Sequence, residues 1–122
     1  MRILLAEDDP NISVITQLCL EKIGGHTVTI ASDGERAIHA SKTEQFDLFI
    51  LDGMMPKFSG IQVAEEIRKT NTETPIIFLS ARSEPKEVDT FLKFATGFIP
   101  KPFDPQKICQ AIETILKQRK AV

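Results

Sequence analysis

Apolar positions along the chain fall into five short runs: residues 3–6, 27–30, 48–51, 76–79 and 98–99. The third and fourth are apolar without alternation, which is the pattern of strands buried on both faces of a parallel sheet. Between the runs, apolar residues recur at helical spacing. Ile12, Ile15, Cys19 and Ile23 form one stripe, and Ala37, Ile38 and Ser41 a shorter one. Ile61, Ala64 and Ile67 form the third, and Val88, Phe91, Leu92 and Ala95 the fourth, which leaves Phe94 off the buried side. Ile108, Ala111, Ile112, Ile115 and Leu116 form the last. Strand and helix alternating five times predicts an α/β, doubly wound domain.

The punctuation agrees with this division. Pro10 is placed to open the first helix and Gly24-Gly25 to close it. Ser32, with Glu35 three residues on, has the spacing of a capping box for the second helix. Asp104-Pro105 supplies a cap and a first-turn proline for the last. The basic residues from Lys117 to Lys120 suit the end of a helix, where the macrodipole favours cations. With neither internal repeat nor linker in sight, residues 1–122 read as one domain.

Composition narrows the function. The chain has 122 residues, 42% hydrophobic and 26% charged, ordinary values for a globular domain rather than a disordered or collagen-like chain. Lys and Arg number 15 against 17 Asp and Glu, so the net charge of −2 argues against direct binding of nucleic acid. No apolar run approaches the roughly 20 residues needed to span a bilayer, and Met1-Arg2 leads straight into the first strand without a signal peptide. Cys19 and Cys109 each fall in an apolar helical pattern, as small buried hydrophobes of a reducing, cytoplasmic compartment do.

The chemistry lies at the ends of the runs. In an open α/β sheet, ligands bind outside the carboxyl ends of the strands, where the strand order reverses. The first run ends in Glu7-Asp8-Asp9, the third in Asp52, the fourth in Ser80-Ala81 and the fifth near Lys101. If the strands are parallel, these groups converge on one edge. Carboxylates of Glu7, Asp8 and Asp52 within a few Å of each other repel strongly, so either a proton is shared or a cation sits among them. Hard oxygen ligands that leave room for waters suit Mg²⁺. Asp52 is the candidate nucleophile for aspartyl-phosphate chemistry. It ends the central strand, and Gly53 beside it carries no side chain to obstruct approach. The Ser80 hydroxyl and the Lys101 ammonium can each hold a phosphoryl oxygen, and Pro100 and Pro102 aim the lysine.

Together these residues resemble the receiver domain of two-component response regulators, over essentially the whole chain. The resemblance rests on Ile3-Leu-Leu-Ala-Glu-Asp-Asp-Pro10, Leu51-Asp-Gly-Met-Met-Pro56 with Ser59-Gly60, Leu79-Ser80-Ala81 and Lys101-Pro102-Phe103. It implies a flavodoxin-like, five-stranded parallel sheet of order 2-1-3-4-5, with five helices on its two faces. It makes Asp52 the phosphoacceptor and Glu7 and Asp8 the acid pair for Mg²⁺, Asp8 being the direct ligand. The backbone carbonyl of Met54 would be a further ligand. Ser80 and Lys101 would hold the phosphoryl group, Phe98 would be the aromatic switch, and the Lys101–Pro102 bond would be cis. The phosphodonor would be a sensor histidine kinase or a histidine phosphotransfer protein. Phosphorylation would shift the surface formed by the fourth helix, fifth strand and fifth helix (α4-β5-α5) toward a downstream protein partner or output domain.

Two other classes compete. A haloacid dehalogenase-type phosphohydrolase also uses an Asp nucleophile with Mg²⁺, but wants a second Asp two residues on, where Met54 stands. A pseudo-receiver lacks the acceptor Asp or the lysine, and here all five positions are filled. The expected protein is therefore a self-modifying signalling module rather than a turnover enzyme. Phe94 and Phe98 are expected as an exposed aromatic pair on the output face. Thr96-Gly97 replaces the acidic pair from which the family's charged dimer is built, so the isolated domain is expected to be a monomer.

Overall fold

The computed structural model describes residues 1–81 and 85–120, with side chains described except at 85–88, 119 and 120. The elements run β1 (Arg2–Ala6), α1 (Pro10–Lys22), β2 (Thr27–Ala31), α2 (Gly34–Thr43), β3 (Leu48–Asp52), α3 (Gly60–Arg68), β4 (Ile76–Ser80), α4 (Pro85–Leu92) and β5 (Gly97–Pro100). A single 3₁₀ turn, Pro105–Lys107, leads into α5 (Ile108–Lys120). The five strands form one parallel sheet in the order β2-β1-β3-β4-β5. The order reverses between β1 and β3, so the crevice of a doubly wound sheet opens beyond Ala6 and Asp52.

The side-chain period of two along a strand divides the core into two layers. Ile3, Leu5, Leu48, Ile50, Ile77 and Leu79 point to the side of α1 and α5, where they meet Leu20, Ile108 and Ile112. Leu4, Ala6, Phe49, Leu51, Ile76 and Phe78 point to the other side, against Ala37, Val63, Ala64, Ile67 and Phe91 of α2, α3 and α4. Every residue of β3 and β4 is buried, as the unbroken apolar runs predict.

Four local expectations are corrected. The buried face of α1 is Ser13, Thr16, Cys19 and Leu20, while Ile15 and Ile23 are exposed together with Val14 and Leu18. Apolar residues run around most of this helix, so period alone does not choose the face; small side chains at 13, 16 and 19 do, because they let the helix lie close to its neighbours. The cap of α2 is Asp33, whose carboxylate accepts from Arg36 N at 2.8 Å. Glu35 then falls one residue short of the capping-box position, and pairs with Lys57 at 2.8 Å instead. In α4, Phe91 is buried but Leu92 is exposed; Val88 lies outside the described side chains. Phe94 and Phe98 are half-buried and packed on the core rather than standing free.

Candidate functional site

Strand register brings the chemistry to one edge. Glu7 follows β1, and its N–H donates to Ala31 O at 3.0 Å, which ties it to the neighbouring strand. Asp52 closes β3, and Gly53 N donates to Leu79 O at 2.8 Å, extending the ladder beyond it. Lys101 N donates to Ser80 O at 2.8 Å, which seats the lysine beside the end of β4. The Lys101–Pro102 peptide is cis, as the resemblance implied.

Glu7, Asp8 and Asp52 each place a carboxylate oxygen within 4.8 Å of the other two. Glu7 and Asp52 are buried, whereas Asp8 is exposed. Lys101 Nζ lies 2.7 Å from Glu7 Oε1 and 3.2 Å from Asp52 Oδ2, so one ammonium spans both buried acids. Asp52 Oδ1 accepts from Met54 N at 3.2 Å. The acids and the lysine from three strand ends are thus assembled around Asp52, and the fully buried Ser80 at the fourth has its hydroxyl beside Gly53, the next residue.

The electrostatics follow from that crowding. Burial and the neighbouring Asp52, through hydrogen bonding and charge, push the Glu7 carboxyl up from 4.5 to about 8, against the opposing pull of Lys101. Burial works against the Lys101 charge, but its hydrogen bond to Glu7 and the negative Asp52 hold the ammonium above its ordinary range. At neutral pH the buried Glu7 carboxyl therefore favours its protonated form, beside the Lys101 ammonium. Glu7 Oε2 is fully buried with no hydrogen-bond partner. A charged oxygen in that position is costly unless a proton or a cation fills the gap. Three hard carboxylate donors, one reaching solvent through Asp8, fit a small divalent cation that keeps several waters.

The loop after β3 is held from both ends. Ser59 caps α3 in a reciprocal capping box: Gln62 N donates to Ser59 Oγ and Ser59 N to Gln62 Oε1. Gly60 N bonds Gly53 O at 3.2 Å, and a Cβ at Gly60 would collide with the Asp52 carbonyl. The Ser-x-x-Gln spacing was readable in the sequence. Lys57 takes a left-handed φ of 71° and reaches back to Glu35 of α2. The space over Gly53 is not open. A Cβ there would stand 2.9 Å from Phe91 Cζ and 3.1 Å from Ser80 Oγ, so this glycine makes room for its neighbours rather than for an incoming group.

Comparison with known proteins adds the following. The model of the response regulator receiver domain family matches residues 3–113. The alkaline phosphatase synthesis transcriptional regulatory protein PhoP of Bacillus subtilis is 36% identical over 120 residues, covering 96% of this chain and 49% of the relative. The transcriptional regulatory protein RprY of Bacteroides fragilis is 36% identical over 119 residues, covering 97% of this chain and 50% of the relative. The chain thus spans about half the length of these curated relatives. Among solved structures, the Francisella response regulator 1452 receiver domain superposes with a TM-score of 0.85 at 28% identity, covering 97% of this chain and 98% of that one. Among the described residues no helix is long and apolar enough to cross a membrane.

Proposed function

The chain belongs to the response regulator receiver domain family, and on that premise we propose that it is a phosphoacceptor signalling module whose modified residue is Asp52. One observation carries the reading. The Asp52 carboxylate is buried at the carboxyl end of the central strand, held by Met54 N on one oxygen and Lys101 Nζ on the other. Its chemistry is in-line displacement on the phosphohistidine of a sensor histidine kinase or a histidine phosphotransfer protein. A carboxylate oxygen of Asp52 forms the new O–P bond as the P–N bond breaks, and the bonding pair leaves with the imidazole nitrogen. Later attack of water returns the carboxylate and inorganic phosphate. Each chain is modified once per cycle, so the module signals rather than turns over substrate.

Glu7, Asp8 and Asp52, with the Met54 carbonyl, are the residues that would hold Mg²⁺. When bound, the ion would neutralise negative charge on the phosphoryl oxygens. Lys101 orients Asp52 before transfer and can move its hydrogen bond to a phosphoryl oxygen afterwards. Ser80 is the neutral donor on the other side. Phosphorylation would draw Ser80 toward the new oxygens and shift Phe98, changing the α4-β5-α5 face that a cytoplasmic output domain or partner reads. The test is intact-protein mass spectrometry after incubation with acetyl phosphate and Mg²⁺. Wild type gains one phosphoryl group, about 80 Da, and Asp52→Asn gains none. Persistent labelling of Asp52→Asn removes the assignment.

A further inference from the structure

Phe91 was expected only as a core residue of the fourth helix, yet its ring touches the phosphorylation site. Its Cζ lies 2.9 Å from where a Cβ of Gly53 would be, and its Cε1 3.2 Å, with Ser80 Oγ at 3.1 Å from the same point. Gly53 directly follows Asp52, and Ser80 is the hydroxyl that the functional reading sets on the phosphoryl group. On its other side the same ring stacks on Phe98, with centroids 5.5 Å apart and planes 21° apart. It also lies against Phe78, with centroids 4.6 Å apart. Phe78 is fully buried on β4 and Phe91 itself is buried, so the Phe91 ring is packed between Gly53 and its two aromatic neighbours.

We propose that Phe91 is a positioning residue: its ring edge sets Gly53 and Ser80 beside Asp52, and its face carries their displacement to Phe98. This rests on the phosphoacceptor reading and extends it from the site to its output. Three points support it. Gly53 is not in the left-handed region, which among the described glycines only Gly25 occupies, so its backbone does not demand glycine. What forbids a side chain there is the space taken by Phe91 and Ser80. Packed aromatic rings transmit displacement because interiors have little free volume. And Phe98 is half-buried, so the last ring in the row has room to move where Phe78 has none.

The experiment is a size-exchange cycle combined with a fluorescence reporter. An added Cβ at Gly53 needs about 3.4 Å for ordinary contact and finds 2.9 Å. Gly53→Ala should therefore push the Asp52–Ser80 pair apart and slow phosphorylation by acetyl phosphate at least tenfold, within the roughly hundredfold that a 1 Å misplacement can cost. Phe91→Leu and Phe91→Met, which remove the ring tip, should each restore most of that rate when combined with Gly53→Ala. The chain contains neither Trp nor Tyr, so Phe98→Trp places a sole fluorophore at the end of the ring row. Its emission should change on phosphorylation with Phe91 present, and the change should shrink severalfold with Phe91→Leu or Phe91→Met. Unfolding midpoints recorded alongside separate loss of fold from loss of positioning. Gly53→Ala that phosphorylates at the wild-type rate, double variants that stay slow while folded, or a Trp signal indifferent to residue 91 each overturn the role of Phe91. A wild-type chain that takes no phosphoryl group overturns instead the functional reading on which this one stands.

Discussion

Glu7→Gln is expected to stabilise the metal-free protein at alkaline pH while destroying its response to Mg²⁺. Glu7 is fully buried and its carboxyl is pushed up from 4.5 to about 8 by burial and by Asp52. Between those two values the folded chain keeps a proton that the unfolded chain has lost. Stability therefore falls as pH rises through this window, and the penalty is complete above about 8. At 1.36 kcal/mol for each pH unit, the gap of 4.5 to about 8 corresponds to a ceiling of about 5 kcal/mol. Gln has the same shape, still accepts from Lys101, and carries no charge at any pH, so it escapes this penalty.

The assay is thermal unfolding of wild type and Glu7→Gln in EDTA from pH 5 to pH 9, because the difference between the two curves cancels the titrating groups that do not interact with Glu7. Near pH 5 the two midpoints should lie close together. By pH 8.5 the variant should lead by a margin bounded at about 15–25 °C, taking roughly 3–5 °C for each kcal/mol of the ceiling in a chain of this size. Addition of Mg²⁺ at pH 8 should raise the wild-type midpoint, since a ligand of the folded state stabilises by mass action, and leave the variant nearly unmoved. A difference that stays flat with pH, or a variant less stable than wild type at pH 8.5 in EDTA, refutes the picture of a buried acid held protonated by Asp52.

Two further outcomes are expected. Asp8 is the exposed member of the acid trio, so Asp8→Ala should fold like wild type but lose both Mg²⁺ binding by calorimetry and phosphorylation by acetyl phosphate; labelling that persists in Asp8→Ala contradicts the metal role. Ser59→Ala removes half of the capping box at α3 and should cost about 1 kcal/mol in urea unfolding; an unchanged midpoint would mean that Gly60 packing, not the cap, anchors this helix.

The sheet and its carboxyl edge were legible because they depend on features a sequence carries directly. Runs without alternation at residues 48–51 and 76–79 can only be strands covered on both faces or buried helix, and their length decides for strands. Once strands are parallel, Glu7, Asp52, Ser80 and Lys101 must lie at one edge, and the distances among Glu7, Asp52 and Lys101 follow from register. What period could not decide was the facing of α1. Val14, Ile15 and Leu18 offer as good a stripe as the buried one, yet they are exposed while Cys19 and Leu20 pack into the core.

The same limit applies to Gly53 and Phe91, and it explains why the role of Phe91 had no signal in the sequence. A glycine beside a nucleophile is compatible with open access, with a strained turn, or with a neighbour that needs the room. These differ in what stands around the place a Cβ would take, here the tip of a ring thirty-eight positions along the chain, 2.9 Å away. Helical period places Phe91 on the inner face of α4 correctly. Which atom its tip meets depends on how far α4 has slid along β4 and β5, and no local pattern encodes that. Positions that matter through volume rather than chemistry, such as Gly60 under the Asp52 carbonyl and Gly53 under Phe91, surface only when the packed interior is seen.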